Sequence, residues 1–438
     1  MIQLRRSSSS LRLGGALAAI VFAWSGLALR AWAADSNSVQ KYDLDLNTAG
    51  QKSPEERRDS LQKRILEAED GETILVQPGV IRGPLLVSKS VVLQGDRTVI
   101  DGRGTSQVVR VDAAGVTLRG FTIQASGEDL GGPDACLYLS KKATSAQVLD
   151  NVFRKCAFGI WVHETDRARI EGNRVFGAMK GHRSERGNGI HLFNASHLVI
   201  RNNHITGGRD GIYVSATEDS LIEGNRLEQG RYGVHYMFSY DNHVRKNNAR
   251  NNMTGYALME SHNIVVTDNI AAQNKERGIL FRDVQYCTIE RNRVTGNGEG
   301  LFFFSSTENR IVDNEISGNR VGARIWAGTL RNEISKNRFV NNAQQIFYVG
   351  SSDLVLGSKS VGNFWSDYLG WDQDGNGEGD RPYRVDSFST RLTHRFPAAN
   401  LLLRSPALEL LAHLQEDLPL LSVPTVIDKR PLVSKGAP

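Results

Sequence analysis

Hydrophobic positions recur along residues 148–340 in one fixed pattern. An aliphatic residue stands three places before an Asn, first at Val148 and Asn151 and last at Ile334 and Asn337. Successive Asn residues of this series are 22 or 23 residues apart, with one interval of 30. A second series keeps the same period, at Gly159, Gly189, Gly211, Gly233, Gly255, Gly278, Gly300 and Gly322. A short fixed period predicts a solenoid of stacked repeats.

Apolar and polar positions alternate within each repeat, for example in the five residues that begin at Gly211. Alternation is the period of a β-strand, whose successive side chains point to opposite faces. The sequence therefore predicts an all-β fold, a right-handed parallel β-helix of about eleven coils and roughly 50 Å in length. Stacked Asn side chains can form amide ladders, and Asn tolerates the left-handed backbone of corners. We interpret the repeated Asn residues as structural.

The segments before the repeats predict export and a covered end. Residues 1–33 are predicted to be a signal peptide, since basic residues precede an apolar run and Ala31–Ala33 fits a cleavage site. An uncleaved membrane anchor is the alternative. Residues 34–72 are predicted to cap the β-helix with a helix that opens at a capping box of Ser53 and Glu56. Its predicted apolar stripe is Leu61, Ile65 and Leu66.

The repeats are predicted to occupy residues 73–361, followed by a C-terminal motif and a partly helical tail in residues 362–438. Two intervals between repeats are over-long, and the excess falls near Ala125–Asp134 and near Gly177–Asn188. Such insertions leave a rigid scaffold as loops, which often carry function. The second loop contains Met179 and His182.

The three cysteines are an odd number for an exported protein. Cys287 alternates toward the core and is expected to be a small buried hydrophobe. Cys136 takes the Gly position of one coil and Cys156 takes the position of a second Asn series in the next coil. The two residues are close but out of register, so we predict that they are not bonded to each other.

The residues two and four places after each Gly should point outward, and we call this set the outward strip. Its members are Trp161, His163, His191, Phe193, Tyr213, Ser215, His235, Met237, Ala257, Met259, Leu280, Arg282, Phe302, Phe304, Arg324 and Trp326. An outward strand face is usually polar, whereas this one is rich in aromatic, His and Met residues. A contiguous exposed apolar strip marks a binding surface.

Two functions of the outward strip stay open at this point. Imidazole and thioether donors together favour copper, particularly Cu(I), so the candidate copper ligands are His163, His191, His235, Met237 and Met259. Alternatively the strip is a docking surface without a metal, because Met is common at adaptable interfaces. The candidate docking residues are Trp161, Phe193, Tyr213, Phe302, Phe304 and Trp326.

An acidic run after the repeats is a second candidate metal site. It places oxygen ligands at alternate positions, at Asp372, Asp374, Asn376, Glu378 and Asp380. The twelfth position is Tyr383 and not a bidentate Glu, which excludes an EF-hand. A calcium-like oxygen site and a solvated turn remain the two interpretations.

Charge and motif content exclude several classes of protein. The 53 Lys and Arg residues are scattered among 48 Asp and Glu residues and the net charge is +5, so no nucleic-acid stripe is expected. No phosphate-binding Gly-Lys-Ser/Thr loop is present. Polysaccharide-cleaving β-helices need carboxylates in their groove. The outward strip contains no Asp or Glu, so we predict that the protein is not an enzyme.

The chain resembles the NosD-type accessory proteins of nitrous-oxide reductase maturation. The resemblance rests on the C-terminal segment, at Asn363–Tyr368, Asp372–Tyr383, Ser405–Ala407, Pro424, Asp428 and Pro431, and on the opening segment Thr73–Gly79. It implies a periplasmic protein without catalytic activity. Its implied partners are the permease and the ATPase of an ABC transporter, a copper-carrying lipoprotein and the apo form of nitrous-oxide reductase.

The tail around Leu401–Val433 is predicted to face the transporter. The competing hypothesis is a carbohydrate-binding or sugar-modifying exported β-helix. Its stacking platforms would be Trp161, Tyr213, Phe302 and Trp326.

Overall fold

The computed structural model describes residues 52–326, 328–358, 361–385 and 425–433. It confirms the parallel β-helix, because the strands of successive coils pair in parallel and in register. The predicted signal peptide and the predicted helical part of the tail lie outside the described residues. No helix in the described ranges is long and apolar enough to cross a bilayer.

The first element is helix α1, Pro54–Glu67, and it covers one end of the coils. Its capping box is present, because the Glu56 amide donates to Ser53 Oγ (3.2 Å) and the Ser53 amide donates to Glu56 Oε2 (2.7 Å). Leu61 and Ile65 are buried as predicted. Leu66 is 55% exposed, so its place in the apolar stripe was wrong. It follows Ile65 directly and therefore points about 100° away around the helix.

Helix α1 also satisfies the backbone of strand Leu85–Val87, which would otherwise be an open edge. Gln62 Nε2 donates to the Leu86 carbonyl (2.8 Å), and the Leu86 amide donates to Gln62 Oε1 (3.0 Å). Arg57 donates to the carbonyls of Gln77 (2.8 Å) and Pro78 (3.0 Å). The predicted role of the helix as a cap agrees with these contacts.

One sheet contains twelve strands and carries the outward strip. Its strands are Leu85–Val87, Val109–Val111, Ala135–Leu139, Phe158–His163, Ile190–Phe193, Asp210–Ser215, Tyr232–Met237, Thr254–Met259, Arg277–Arg282, Glu299–Phe304, Val321–Trp326 and Gln344–Val349. We call it the strip sheet.

A second, 23-stranded sheet forms the rest of the wall, with two strands in most coils. Two long strands of the early coils, Val91–Thr105 and Thr117–Ser126, run through the corner and pair with strands on both sides of it. The strands before the corner in the other coils are Glu72–Val76, Gln147–Leu149, Arg169–Glu171, Val199–Arg201, Leu221–Glu223, His243–Arg245, Val265–Thr267, Thr288–Glu290, Arg310–Val312 and Glu333–Ser335. The others are Gly79–Arg82, Val152–Arg154, Arg174–Phe176, His204–Thr206, Arg226–Glu228, Asn248–Arg250, Ile270–Ala272, Arg293–Thr295, Glu315–Ser317, Arg338–Val340 and Phe364–Trp365.

The coil count differs from the prediction of eleven. Twelve strands stack in the strip sheet, and Phe364–Trp365 adds the start of a further coil by pairing with Arg338 and Phe339. The first coils lack the aliphatic-and-Asn pattern, which is why the sequence undercounted them. The stack also continues past residue 361, where the repeats were predicted to end.

The predicted core lies inside the stack. The residues one and three places after each Gly are buried from Ile160 and Val162 to Ala323 and Ile325. Cys287 is buried as predicted.

The repeated Asn side chains form two buried ladders. In the first, Asn225 Nδ2 donates to Asn247 Oδ1 (2.9 Å), which also accepts the Asn225 amide (2.9 Å). Each ladder amide also donates to a core-strand carbonyl, as Asn247 Nδ2 does to Ile222 (2.9 Å). In the second ladder, Asn274 Nδ2 donates to Asn297 Oδ1 (2.9 Å). The structural interpretation of these residues is confirmed.

The ladder residues do not themselves adopt the left-handed backbone that was expected of them. Positive φ values fall on the residue before the ladder Asn, such as Lys246 (55°) and Asp268 (57°). The ladder Asn is selected for its amide, which bonds the neighbouring coils. The corner conformation belongs to its predecessor.

The C-terminal motif ends the first ladder. Asn363 Oδ1 accepts the Asn337 amide (3.1 Å), so Asn363 is the last Asn of the series. Buried Asp428 then accepts from the Asn363 amide (2.7 Å), Asn363 Nδ2 (3.0 Å) and Trp365 Nε1 (3.0 Å). Asp428 lies in a small three-stranded sheet of Leu354–Leu356, Tyr383–Val385 and Val426–Asp428. One buried carboxylate thus closes the end of the ladder.

Cys136 and Cys156 form a disulfide with a Cα–Cα distance of 5.6 Å, so the prediction that they are unbonded was wrong. The reason is geometric. A Cβ placed on a Gly of the series points at the second-ladder Asn of the next coil, as at Gly255, where it would lie 3.0 Å from Asn274 Nδ2. The offset in register therefore brings the two sulfur atoms together.

Candidate functional site

The outward strip runs along the strip sheet in two columns. In the column two places after Gly, Trp161, His191, Tyr213 and His235 pair in succession, and Ala257, Leu280, Phe302 and Arg324 continue the series. In the column four places after Gly, Phe193 and Phe304 are 38% and 42% exposed. The remaining predicted docking residues, Trp161, Tyr213, Phe302 and Trp326, are half-buried.

The middle of the strip is less exposed than the sequence predicted. Ala257, Met259 and Leu280 are buried and form a small apolar cluster separate from the core. Tyr232, Met237 and Phe302 pack against that cluster. Bulky outward neighbours therefore cover the smaller residues of the central coils.

A third column on the same face was missed by sequence reasoning. It consists of the residue directly before each Gly, such as Asp210 and Glu299. Strand alternation assigns these residues to the core. The alternation is interrupted at the Gly, where a Cβ would lie 2.6 Å from the carbonyl of the next coil's Gly, as at Gly211. Two buried carboxylates therefore lie beside the outward strip.

Asp210 is fully buried and holds His235 in one orientation. Its Oδ2 accepts from His235 Nδ1 (3.0 Å) and from Arg231 Nη2 (2.6 Å), and its Oδ1 accepts from Arg231 Nε (2.9 Å). Burial acts to raise the pKa of Asp210, but the hydrogen bonds from His235 and Arg231 outweigh it and hold the pKa below its ordinary value. The carboxylate is therefore ionised. It lies closer to His235 Nδ1 (3.0 Å) than Arg231 Nη2 does (3.4 Å), so we assign the Nδ1 proton to the bond with Asp210.

His235 consequently presents its other nitrogen as an acceptor. Within the described residues, Nε2 is buried and has no hydrogen-bond partner. A carboxylate on Nδ1–H that leaves the Nε2 lone pair free is the arrangement of metal-binding histidines. The ring also packs edge-on against Tyr232 at 4.8 Å between centroids.

A second pair in the same sheet provides an internal comparison. Glu299 and Arg324 are related along the chain as Asp210 and His235 are, with the two partners 25 residues apart. Arg324 Nε lies 2.5 Å from Glu299 Oε1, and Arg277 Nε donates to Glu299 Oε2 (3.1 Å). A guanidinium stays charged and offers no lone pair. The Glu299 cluster therefore consists of ion pairs and offers no atom to a metal ion. The Asp210 cluster instead includes His235 Nε2, which has no partner among the described residues.

His191 lies in the same column but is held differently. Asn188 Oδ1 accepts the Asp210 amide (3.3 Å), which turns Asn188 Nδ2 toward His191 Nδ1 (3.3 Å). Nδ1 thus accepts a hydrogen bond and the ring proton is on Nε2. Burial lowers the pKa of His191 to about 4, so the ring is neutral at neutral pH. It stacks on Trp161 at 4.1 Å between centroids.

The remaining predicted copper ligands lie in the column four places after Gly. Met237 and Met259 are direct partners on adjacent strands. Met259 belongs to the small apolar cluster and Met237 packs against it. Met237 follows His235 by two residues on the same strand and face. His163 stacks on Phe193 (5.5 Å) several coils away. Met237 thus neighbours Met259 and lies on the same strand as His235. His163 lies apart from these residues.

No group of three or more His, Cys, Asp and Glu side chains suited to a metal ion occurs in the described ranges. A metal site on the strip would therefore draw on thioether sulfur as well as imidazole nitrogen.

The acidic run forms a self-bonded turn. Asp372 accepts from the amides of Asn376 (3.0 Å) and Gly377 (2.8 Å), and hydrogen bonds to these amides hold its pKa below the usual range. Asp380 accepts the Gln373 amide (2.7 Å), and Glu378 pairs with Arg430 (2.6 Å). Its oxygens thus already bond within the protein, and calcium binding at Asp372, Asp374, Asn376, Glu378 and Asp380 stays a prediction.

The fold and the site together define a class, a β-helical scaffold that presents an oriented histidine beside paired methionines. Residues 177–370 match the family described as "Periplasmic copper-binding protein (NosD)". The chain is 40% identical over 352 residues to the "Probable ABC transporter binding protein NosD" of Pseudomonas aeruginosa, covering 77% of this chain and 82% of that protein.

A protein of the same description from Stutzerimonas stutzeri is 38% identical over 381 residues, covering 83% of this chain and 87% of that protein. The chain belongs to the NosD family.

Solved structures share the fold alone. A family 28 exopolygalacturonase of Yersinia enterocolitica superposes with a TM-score of 0.57 at 11% identity, covering 69% of this chain and 75% of that one. An exopolygalacturonase of Thermotoga maritima superposes with a TM-score of 0.54 at 13% identity, covering 67% and 89%. At such identities the likeness carries no inference about activity.

Proposed function

We propose that this protein is a periplasmic scaffold that binds Cu(I) on the outward strip and delivers it to apo nitrous-oxide reductase. Its further partners in the proposal are a copper-carrying lipoprotein and the permease and ATPase of an ABC transporter. The description of the family as periplasmic and copper-binding supports the location and the metal. The relatives' description as ABC transporter binding proteins supports the transporter.

The observation that carries the copper proposal is the free Nε2 of His235. The Asp210 carboxylate fixes the Nδ1–H tautomer, and the buried Nε2 lacks a partner among the described residues. Burying an acceptor without a partner costs about 1–3 kcal/mol, and a metal ion at Nε2 would remove that cost. The orientation also matches the way in which metal-bound histidines are held.

Met237 and Met259 supply the preference for Cu(I). Thioether sulfur is a soft donor and is selected by Cu(I) over calcium or magnesium. The two side chains are adjacent on neighbouring strands, and Met237 shares the strand of His235. Thioethers do not titrate, so two of the three proposed ligands need no deprotonation. A site of one imidazole and two thioethers can bind copper and still release it to a partner with stronger ligands.

The scaffold is proposed to have no catalytic activity. Its two buried carboxylates beside the strip already have partners. Asp210 bonds Arg231 and His235, and Glu299 pairs with Arg277 and Arg324. A sugar-cleaving site would need a carboxylate free to donate or accept a proton. The sugar-binding alternative is also weakened, because the Trp161 ring is stacked on His191.

The C-terminal segment is proposed to dock the transporter. Leu369 is 94% exposed and Trp371 is 50% exposed, and both follow strand Phe364–Trp365 in the sequence. Large apolar side chains that are exposed to solvent and clustered mark a contact surface. Deleting residues 400–424, which keeps Asp428 and its strand in place, should abolish recovery of the transporter complex by pull-down. Recovery of the intact complex with the truncated chain would exclude this docking role for the tail.

The delivery role is testable in a denitrifying strain that lacks this protein. The strain is complemented with the wild-type chain, with a variant carrying His235→Ala, Met237→Ala and Met259→Ala, or with a control carrying His243→Ala and Met179→Ala. The copper content of purified nitrous-oxide reductase is then measured. Copper-poor reductase from the triple variant alone is the expected result. Full copper loading with the triple variant would overturn the delivery role of this site.

A further inference from the structure

The two insertion loops enclose a cavity that the copper proposal does not use. Its volume is about 820 Å³, within the range of ligand-binding clefts. Glu128 and Leu130 of the first loop line one side, and Lys180 and Arg186 of the second line the other. The floor includes Arg154, Lys155 and the disulfide-bonded Cys156.

Hydrogen bonds from Arg186 connect the two ends of the second loop. Arg186 donates to three carbonyls of the loop, those of Met179 (2.7 Å), Lys180 (3.2 Å) and Gly181 (2.7 Å). At its base, a Cβ on Gly177 would lie 2.6 Å from the Gly208 amide nitrogen, so the loop is packed directly on the next coil. A pre-formed wall lowers the entropic cost of binding a partner.

The lining of the cavity is cationic. Arg154, Lys155, Lys180 and Arg186 face it with only Glu128 and Glu185 as anions. Across the described part of the chain, none of these four cations forms an ion pair with a carboxylate. The same surface includes an apolar wall, since Leu130 is 36% exposed and Phe176 is 40% exposed. The lining therefore suits a ligand that combines negative charge with an apolar side chain.

The cavity adjoins the outward strip at the turn before strand Phe158–His163. Cys156 and Ala157 of its floor lead directly into Phe158, whose ring packs against Trp161 (4.6 Å) and His191 (5.5 Å). A Cβ on Gly187, at the end of the second loop, would collide with the Ala157 carbonyl, so this loop closes against the strip's first strand. A segment bound in the cavity is positioned to hold its protein over the strip.

We infer that the cavity is a docking site for an acidic segment of a partner protein, with carboxylates on both sides of one apolar side chain. The carboxylates pair with Lys155, Lys180 and Arg154, and the apolar side chain contacts Phe176 and Leu130. This interaction depends on charge and shape at the loops and does not require copper. It adds to the account a site that holds a protein partner beside the strip.

The test uses the fluorescein-labelled peptide Glu-Leu-Glu-Glu-Leu-Glu and a matched peptide with Gln in place of Glu. Fluorescence anisotropy measures binding to the mature chain and to a Lys155→Glu, Lys180→Glu double variant. A Lys246→Glu, Lys275→Glu variant is the control, because it has the same net charge and both lysines are exposed elsewhere on the rod. Far-UV circular dichroism verifies that each variant is folded.

Binding of the Glu peptide, weakened about tenfold or more by the Lys155 and Lys180 reversals and unchanged in the control, is the expected result. Binding of the Glu peptide should also weaken as salt is raised from about 50 to about 300 mM, because salt screens attraction between partly exposed charges. Equal binding of the Glu and Gln peptides would overturn the inference. Equal losses of peptide affinity in the two double variants would also overturn the inference. That result would mean that the peptide is attracted by the net charge of the protein and not by the cavity. Cu(I) affinity is expected to be the same in all these proteins, so failure here leaves the copper proposal standing.

Discussion

Replacing Asp210 by Asn should remove the metal-binding form of His235 while leaving its ring in place. In the wild type, the carboxylate accepts the Nδ1 proton (3.0 Å), and Nε2 has no partner in the part of the chain that the structure describes. Asp210 Oδ2 accepts from both His235 Nδ1 and Arg231 Nη2, and Oδ1 accepts from Arg231 Nε. An Asn at this position replaces one of these two acceptors by an NH₂ group and removes the negative charge. The variant therefore loses the ionised partner that favours the Nδ1–H form of His235.

The loss of copper affinity can be estimated from metal sites in general. Removing a carboxylate that orients a metal-bound histidine costs about 10–100-fold in affinity, or roughly 1.4–2.7 kcal/mol. The assay is anaerobic competition for Cu(I) against a chromogenic chelator at about pH 7.5. Circular dichroism verifies folding, since Arg231 keeps only a neutral partner in the variant.

Glu299→Gln is the matched control, because it removes one buried carboxylate from the equivalent position of another coil. Glu299 bonds Arg277 and Arg324, so this change should leave Cu(I) affinity within about threefold of the wild type even if stability falls. Unchanged Cu(I) affinity of Asp210→Asn would refute the argument that the Asp210 carboxylate selects the tautomer of His235.

Three further predictions concern stability. His191 has a folded-state pKa of about 4 against 6.5 for the free group, so the unfolded chain binds its proton first. Stability is therefore lost as pH falls from about 6.5 to 4, by up to roughly 3 kcal/mol. His191→Phe should reduce this loss in urea unfolding at about pH 7.5 and pH 4, and an identical loss would contradict the assignment. Asn247→Ala leaves a buried amide and carbonyls of the ladder unsatisfied, and should cost about 3 kcal/mol more than Asn248→Ala on the same coil. Equal costs would show that the ladder contributes little. Breaking Cys136–Cys156 should destabilise the chain by about 3 kcal/mol, since it closes a loop of about twenty residues. Thiol titration of the denatured chain should find one thiol without reductant and three with it, and three thiols in both cases would exclude the bond.

The coils and the core could be predicted because their information is local. Period-2 alternation assigns Ile212 and Val214 to the core, and the Asn series sets the register between coils. The start of helix α1 could also be predicted, because Ser53 and Glu56 are three residues apart and hydrogen-bond each other.

The site could be predicted only in part, because its decisive contacts cross between coils. His191 and His235 share one column, and the residue that bonds Nδ1 makes them different, Asn188 for one and Asp210 for the other. Those partners stand before a Gly, where alternation breaks, so the pattern assigned them to the core. An acidic residue directly before Gly and 25 residues before His235 was the available signal.

The disulfide was missed for a related reason. Columns of equivalent residues were treated as contacts, whereas the Cβ of the Gly position faces a different column in the next coil. A prediction of such contacts requires the tilt of the backbone at the Gly, which the sequence does not specify.

The most direct test of the central claim is Cu(I) binding by the mature protein itself. Anaerobic chelator competition is run on the wild type, on the His235→Ala, Met237→Ala, Met259→Ala triple variant, and on the His243→Ala, Met179→Ala control. We expect the wild type and the control to withdraw Cu(I) from the chelator and the triple variant to withdraw none. Equal withdrawal by all three proteins, or none by the wild type, would contradict a copper site on the outward strip.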